Sequence, residues 1–284
     1  MIYVSSASFK EKNLSVLLNH FKKNNIKNVE LSGGTKFKKN ISAIISKYNN
    51  KMNFLIHNYF PPPKKDFILN LGSMDEKTRL QSVTLSKKAI NLCKKFGIKK
   101  YAIHAPFLID FTPNEAGKLI KKRKLSNKKK VVQKFKKSWL EIKKAADNKV
   151  SLYIENNVLS FENYKNYNYK NPFLLTDYKS YLFLKKKIDF NLLLDFGHLY
   201  VSSKTLKKNF SQECKNLIKL TDYFHISDNN GKKDENCGLN VKGEVYKILK
   251  KNMILPKSTF TLEIYKDIKT IKKNIKLIEN LKNK

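Results

Sequence analysis

The sequence has few cysteines and no long apolar segment. Its three cysteines, Cys93, Cys214 and Cys237, are far apart in a chain of 284 residues and form no CxxC pair. An odd and scattered set argues against a disulfide framework and against a thiolate zinc site. The apolar runs are only a few residues long, and no basic stretch followed by an apolar segment begins the chain, so neither a membrane span nor a signal peptide is predicted. We therefore expect a cytoplasmic protein with reduced thiols.

Arginine is also scarce, although the chain is strongly basic. The formal net charge is +36, yet only Arg79 and Arg123 among the 59 basic residues are arginine. Recognition of phosphates and bases favours the forked guanidinium group of arginine and a concentrated basic face. Here lysines occur in every segment together with many asparagines, as codon usage in an AT-rich genome would produce, and the densest run, residues 121–137, is predicted to be the solvated face of a helix. The composition disfavours nucleic acid as a partner and leaves it as the alternative.

Two nucleotide-binding motifs are missing as well, which bears on the fold. Short β-rich segments alternate with lysine-rich amphipathic segments, the order expected of a parallel sheet with helical connections. An open nucleotide-binding sheet would share this order, but the chain contains neither GxGxxG nor GxxxxGK[ST]. The strands are predicted at residues 2–6, 28–31, 53–57, 100–104, 151–155, 190–195, 222–226 and 259–263.

The segments between the predicted strands have the periodicity of amphipathic helices. Leu14, Leu17 and Phe21, for example, fall on one helical face. The longest connection, residues 112–149, is predicted to hold a loop or short helix before its main helix. No linker rich in glycine and serine divides the chain, and its length and 41% hydrophobic content suit one large core. We therefore predict an α/β fold, a single (β/α)8 TIM barrel domain with a parallel eight-stranded sheet over residues 1–284.

Polar residues stand at the carboxyl ends of the predicted strands, where a parallel barrel places its catalytic groups. The last four strands end in three carboxylates and an imidazole, those of Glu155, Asp195, His225 and Glu263. Buried carboxylates repel one another unless they are protonated or share a cation, and oxygen and nitrogen ligands of this kind suit Mn²⁺, Zn²⁺, Mg²⁺ or Co²⁺. The pattern predicts one divalent metal site. Taken singly, each residue has an alternative role as a helix cap or a solvent-facing side chain.

Four short phrases make the chain resemble the xylose isomerase-like TIM barrel family, which includes sugar phosphate isomerases and epimerases and endonuclease IV. They are Val-Glu-Leu at 29–31, His-Ala-Pro at 104–106, Asp-Phe-Gly-His at 195–198 and His-Ile-Ser-Asp at 225–228. They are similar to the family's G-V-E-L, H-A-P, D-x-G-H and H-x-x-D phrases. The resemblance covers essentially the whole barrel.

The resemblance implies a metal-dependent isomerase or epimerase acting on a sugar or sugar phosphate. The implied ligands of one metal are Glu155, Asp195, His225 and Glu263. The two glutamates are also the implied acid and base on opposite faces of the sugar. The residues expected to contact substrate are His198, His57, His104, Glu30 and Asp228, although Glu30 has the alternative of bonding a neighbouring strand.

The alternative function is that of an endonuclease IV-like enzyme, which hydrolyses abasic DNA with zinc. That branch adds histidines matching His57 and His104, and it holds a third metal with the counterpart of His198 and an Asp-x-His element. Here residues 234–236 read Asp-Glu-Asn, so the loop histidine is replaced and one ligand of a third metal is missing. His57 and His104 leave a second metal open, with substrate contact as an equal interpretation. Dehydration or aldol chemistry, a non-catalytic binding role and an oligomeric state also stay open.

Overall fold

Eight parallel strands form a closed barrel in a computed structural model that describes residues 1–252 and 258–282. Each strand pairs with its neighbours in sequence, and the last pairs with the first. All eight predicted strands are present; four have the predicted bounds, and each of the other four is one residue shorter at one end. The strands are β1 (Ile2–Ser5), β2 (Asn28–Leu31), β3 (Asn53–His57), β4 (Lys100–His104), β5 (Ser151–Glu155), β6 (Asn191–Asp195), β7 (Tyr223–Ile226) and β8 (Thr259–Leu262).

Helices connect the strands and pack their apolar faces on the outside of the barrel. Leu14, Leu17 and Phe21, predicted to share a face, are all buried in the first helix. The helices are α1 (Leu14–Lys23), α2 (Ile41–Asn49), α3 (Glu76–Phe96), α4 (Lys128–Ala146), α5 (Phe161–Asn166), α6 (Tyr178–Lys185), α7 (Phe196–Thr205), α8 (Phe210–Ile218), α9 (Glu244–Asn252) and α10 (Ile268–Lys282). Among the residues described, none of these helices is long and apolar enough to cross a membrane.

The longest connection contains the predicted short element and main helix, but the main helix begins later than predicted. A short 3-10 turn, Pro113–Glu115, precedes α4, whose side chains Phe135 and Trp139 are buried. The helix begins at Lys128, where the side chain of Asn127 accepts hydrogen bonds from the backbone amides of the first turn. The first part of the basic run 121–137 therefore lies outside the helix, and the prediction that the whole run is helical was wrong. Asparagine is one of the preferred N-cap residues, so the helix begins directly after Asn127.

The interior of the barrel has an apolar layer below a polar one. The apolar layer consists of Tyr3, Leu55, Ala102, Tyr153, Leu193 and Tyr223. Side chains on a strand alternate between its two faces, so the residue two positions further along also points inward. Those residues are Ser5, His57, His104, Glu155, Asp195 and His225. The strand period alone therefore brings most of the predicted site residues to one level, at the carboxyl end.

Candidate metal centre

The four predicted metal ligands converge around one ring nitrogen of His225. Its Nδ1 atom lies 3.2 Å from Glu155 Oε1, 3.6 Å from Glu263 Oε2 and 4.0 Å from Asp195 Oδ2. One ligand atom from each of the four residues lies within 4.8 Å of the others. All four side chains are buried, Glu263 being the most exposed at 7%. Strand register contributes directly, because Asp195 and His225 are paired on neighbouring strands.

Several polar atoms of this cluster have no hydrogen-bond partner among the residues that the structure describes. They are Glu155 Oε1, Asp195 Oδ2 and His225 Nδ1, and all three are buried. Buried polar atoms in folded proteins are nearly always hydrogen-bonded, so unpartnered atoms that face one another need an explanation. A divalent cation supplies one, because carboxylate oxygens and an imidazole nitrogen are its ordinary ligands. The residues present therefore fit a metal ion.

The pKa values of two carboxylates in the cluster are shifted in opposite directions. Burial raises the pKa of Asp195 to about 7, the neighbouring His198 opposes this shift, and the negative charges of Glu155 and Asp234 add to it. Burial also acts to raise the pKa of Glu155, but the surrounding histidines outweigh it and hold this pKa well below its ordinary value. Two neighbouring carboxylates with strong and opposite pKa shifts mark this buried cluster as a candidate functional site.

Asp195 and His198 are held in place by Asn156, a residue that the sequence motifs did not indicate. The Asn156 side chain donates to the backbone oxygen of Asp195 at 3.0 Å and accepts from its backbone amide at 2.7 Å. His198 Nδ1 donates to the backbone oxygen of Asn156 at 2.9 Å, which leaves Nε2 facing the mouth. The sequence could have indicated Asn156 only by its position directly after Glu155. Gly197 is also required, because a Cβ atom there would lie 2.5 Å from Ser227 Oγ.

A second cluster shares Glu155 with the first. The other carboxylate oxygen of Glu155, Oε2, lies 2.8 Å from His57 Nε2 and 3.3 Å from His104 Nδ1. The His104 side chain is 22% exposed, whereas that of His57 is 6% exposed, so His104 stands at the mouth. Burial lowers the pKa of His104 to about 4, which keeps its ring neutral and able to accept a metal. The two oxygens of Glu155 thus face two different groups of candidate metal ligands.

The loop after β7 brings a carboxylate close to His198. Asp234 Oδ2 lies 3.4 Å from His198 Nε2. The same oxygen accepts a hydrogen bond from the side chain of Asn236 at 3.0 Å. Asn236 thus orients Asp234 by a hydrogen bond and uses its amide nitrogen for that contact. The donor set here is weaker than that of the other two clusters.

Glu30 and Asp228, expected to contact substrate, have other partners. Glu30 is fully buried beneath His225, and the hydroxyl groups of Tyr223 and Thr261 donate to its Oε2 atom. The carboxylate of Asp228 accepts backbone amides from Asn229 and Asn240, both at 2.9 Å, and so shapes the loop after β7. We assign neither carboxylate a substrate contact. Asp228 stabilises the loop that carries Asp234 and Asn236, whereas Glu30 lies behind the main cluster.

Comparison with known proteins identifies the family. The model of the xylose isomerase-like TIM barrel matches residues 19–281, and the chain belongs to this family. No curated protein sequence matches the chain.

Solved structures share the fold at low sequence identity. A D-tagatose 3-epimerase-like protein is 18% identical with a TM-score of 0.70, and the match covers 99% of this chain and 96% of that one. D-psicose 3-epimerase from Clostridium cellulolyticum, solved with D-tagatose, is 12% identical with a TM-score of 0.63, covering 99% and 98%. Endonuclease IV from Thermus thermophilus is 12% identical with a TM-score of 0.62, covering 99% and 97%. The likeness establishes the fold for this chain.

Proposed function

We propose that this protein is a metal-dependent isomerase or epimerase of a sugar or sugar phosphate. The observation that carries the proposal is that two glutamates share one candidate metal position. Glu155 Oε1 and Glu263 Oε2 lie 3.2 and 3.6 Å from the same atom, His225 Nδ1. They come from β5 and from the residue after β8, so they approach the centre of the mouth from different strands. A substrate between them would meet a carboxylate on each face.

The proposed chemistry is proton transfer at a carbon next to a carbonyl group. A bound divalent metal supplies Lewis-acid polarisation of the substrate carbonyl, which makes the neighbouring C–H acidic. One glutamate then removes that proton, and the other returns a proton to the opposite face. His198 and His104 border the mouth, and we assign them contacts to substrate hydroxyl groups. We also propose that residues 1–284 form one catalytic domain acting in the cytoplasm.

The second candidate is abasic-site endonuclease activity, favoured by the cluster of His57, His104 and Glu155 Oε2. Two observations weigh against it. Arg79 is buried in contacts with Glu76 and Ser138, and Arg123 pairs with Glu115, so both arginines are engaged within the chain. The loop after β7 also has Asn236 in place of a metal-binding histidine. The lysine excess by itself gives only weak, salt-sensitive attraction to DNA.

One experiment separates the two candidates. Metal-loaded protein is incubated in D₂O with ketoses, their phosphates and, separately, a duplex containing an abasic site. The proposal expects deuterium at the carbon next to the carbonyl of at least one sugar, and no incision of the duplex above background. Efficient metal-dependent incision without exchange into any sugar would replace the proposal with the endonuclease.

A further inference from the structure

Glu30 is a buried carboxylate that the proposed chemistry does not use. It points inward from β2 and has no exposed surface. The hydroxyl of Tyr223 and that of Thr261, the latter at 2.8 Å, both donate to Oε2. Within residues 1–252 and 258–282, no group donates a regular hydrogen bond to the other oxygen, Oε1. A buried carboxylate with one oxygen left over is costly unless a positive or proton-bearing group faces it.

The group that faces this oxygen is His225. Its Nε2 atom lies 2.9 Å from Glu30 Oε1, in an oblique contact without the alignment of a regular hydrogen bond. The other ring nitrogen, Nδ1, faces the three carboxylates of the candidate metal centre. The two nitrogens of one ring therefore meet different surroundings, with a single carboxylate below and the ligand cluster above.

We propose that Glu30 is a positioning residue that decides which nitrogen of His225 binds the metal. The inference rests on the metal site of the proposed function. A neutral imidazole has an N–H group on one ring nitrogen and a free lone pair on the other. An ionised carboxylate can only accept a hydrogen bond, so the ring nitrogen that faces it must carry the proton. Glu30 thus holds the proton on Nε2 and leaves the lone pair of Nδ1 for the metal. A carboxylate behind a metal-binding histidine is a general way of fixing ring orientation and raising ligand basicity.

The same carboxylate lies behind a second imidazole. His57 Nδ1 is 4.0 Å from Glu30 Oε1, and His57 Nε2 lies 2.8 Å from Glu155 Oε2. His57 therefore stands between Glu30 and the second cluster, much as His225 stands between Glu30 and the first. Loss of the Glu30 charge should weaken the main position strongly and the His57 position to a lesser degree, because the second contact is longer.

The test measures Zn²⁺ binding and the proton position on His225, and it needs no turnover. Zn²⁺ affinity is obtained by competition with a chelator. The protonation of the ring nitrogens is measured by NMR on protein labelled with ¹⁵N-histidine, and the spectrum is simple because the chain has only 5 histidines. Glu30→Gln keeps an oxygen of the same reach and removes the charge. We expect Zn²⁺ affinity to fall roughly 10- to 100-fold, the usual cost of losing such an outer partner. We also expect His225 in the metal-free variant to lose its fixed Nε2–H form, which is read at a pH above the raised pKa of His225, where the wild-type ring is neutral.

Two kinds of control keep the test decisive. Asp177→Asn alters another largely buried carboxylate, which caps α6 and pairs with Lys208 at 2.6 Å, so it should cost stability and leave Zn²⁺ affinity unchanged. Thr261→Val keeps the Glu30 charge and removes one donor to Oε2, so its loss of affinity should be smaller than that of Glu30→Gln; this variant serves if Glu30→Gln does not fold. Wild-type affinity in Glu30→Gln, or metal bound through Nε2 of His225, would overturn the inference and leave the proposed function intact. No Zn²⁺ binding by the wild type would overturn both.

Discussion

Among the described residues, the charged groups at one end of the barrel have partners, whereas several of those at the other end do not. At the amino-terminal end, Lys100 lies 2.7 Å from Asp222 and 4.8 Å from the ring centre of Tyr153, whose hydroxyl donates to Asp222 at 2.9 Å. Each of these groups has a partner of matching charge or polarity. At the carboxyl-terminal end, buried carboxylates and imidazoles face one another, and several of their atoms have no hydrogen-bond partner in the described part of the chain.

This difference separates a structural ion pair from a functional site. A satisfied pair needs nothing further and contributes to stability alone. A cluster of buried and unsatisfied ligand atoms is unfavourable by itself, so it persists where a bound group completes it. Experiments at each end can break or sharpen this contrast.

The largest effect is expected from Glu→Gln substitution at Glu155 or Glu263. Each change keeps an oxygen of similar reach but removes the basic carboxylate, so deuterium exchange by metal-saturated protein should fall roughly 10²-fold or more. The measurement is NMR of the sugar in D₂O. Asp195→Asn is the matched control, because it weakens metal binding without removing a proposed proton-transfer group, and exchange should recover at saturating metal. Exchange at the wild-type rate in both glutamine variants would show that neither glutamate transfers the proton.

A smaller effect is expected from pH on metal binding. Burial lowers the pKa of His225, but Glu30, Glu263 and Glu155 outweigh it and hold this pKa well above its ordinary value of 6.5. A metal must displace that proton, so affinity should rise with pH until the raised pKa is passed and then level off. Calorimetry in buffers of different ionisation enthalpy should detect the proton released; metal binding with no proton release would contradict this account.

The same raised pKa acts in the other direction on the metal-free fold. A histidine whose pKa is higher in the folded state contributes stability that is fully present below its unfolded pKa and is lost as the pH rises through its folded pKa. Metal-free protein should therefore become less stable to denaturant above neutral pH. Metal-loaded protein should not lose stability in this way over the same range, because its ligands are already deprotonated.

The smallest effect is expected at the amino-terminal end. Asp222→Asn removes the charge partner of Lys100, and the Asp222 side chain is 56% exposed, so the free energy of unfolding should fall by about 1 kcal/mol or less. Urea unfolding gives this value, and chelator competition should show unchanged metal affinity. A clear loss of metal affinity in this variant would mean that the two ends of the barrel are coupled.

Much of the fold could be predicted because its signals are local. Strand and helix periods, with polar residues at the strand ends, place the eight strands and indicate Glu155, Asp195, His225 and Glu263 as one group. The same alternation, counted two residues beyond the apolar layer, accounts for the level at which they meet. The helix start at Lys128 was missed because one asparagine outweighed the longer basic run around it.

The sequence by itself determined which residues reach the mouth, and only the tertiary structure decided what each one faces there. Glu30 and His225 are far apart in the chain, and no local pattern indicates that one lies behind the other. The same holds for the two oxygens of Glu155, which turn toward different histidines. Barrel closure and strand register set these contacts. A strand pattern specifies the face on which a side chain lies, but the atom that it meets depends on the strands across the barrel.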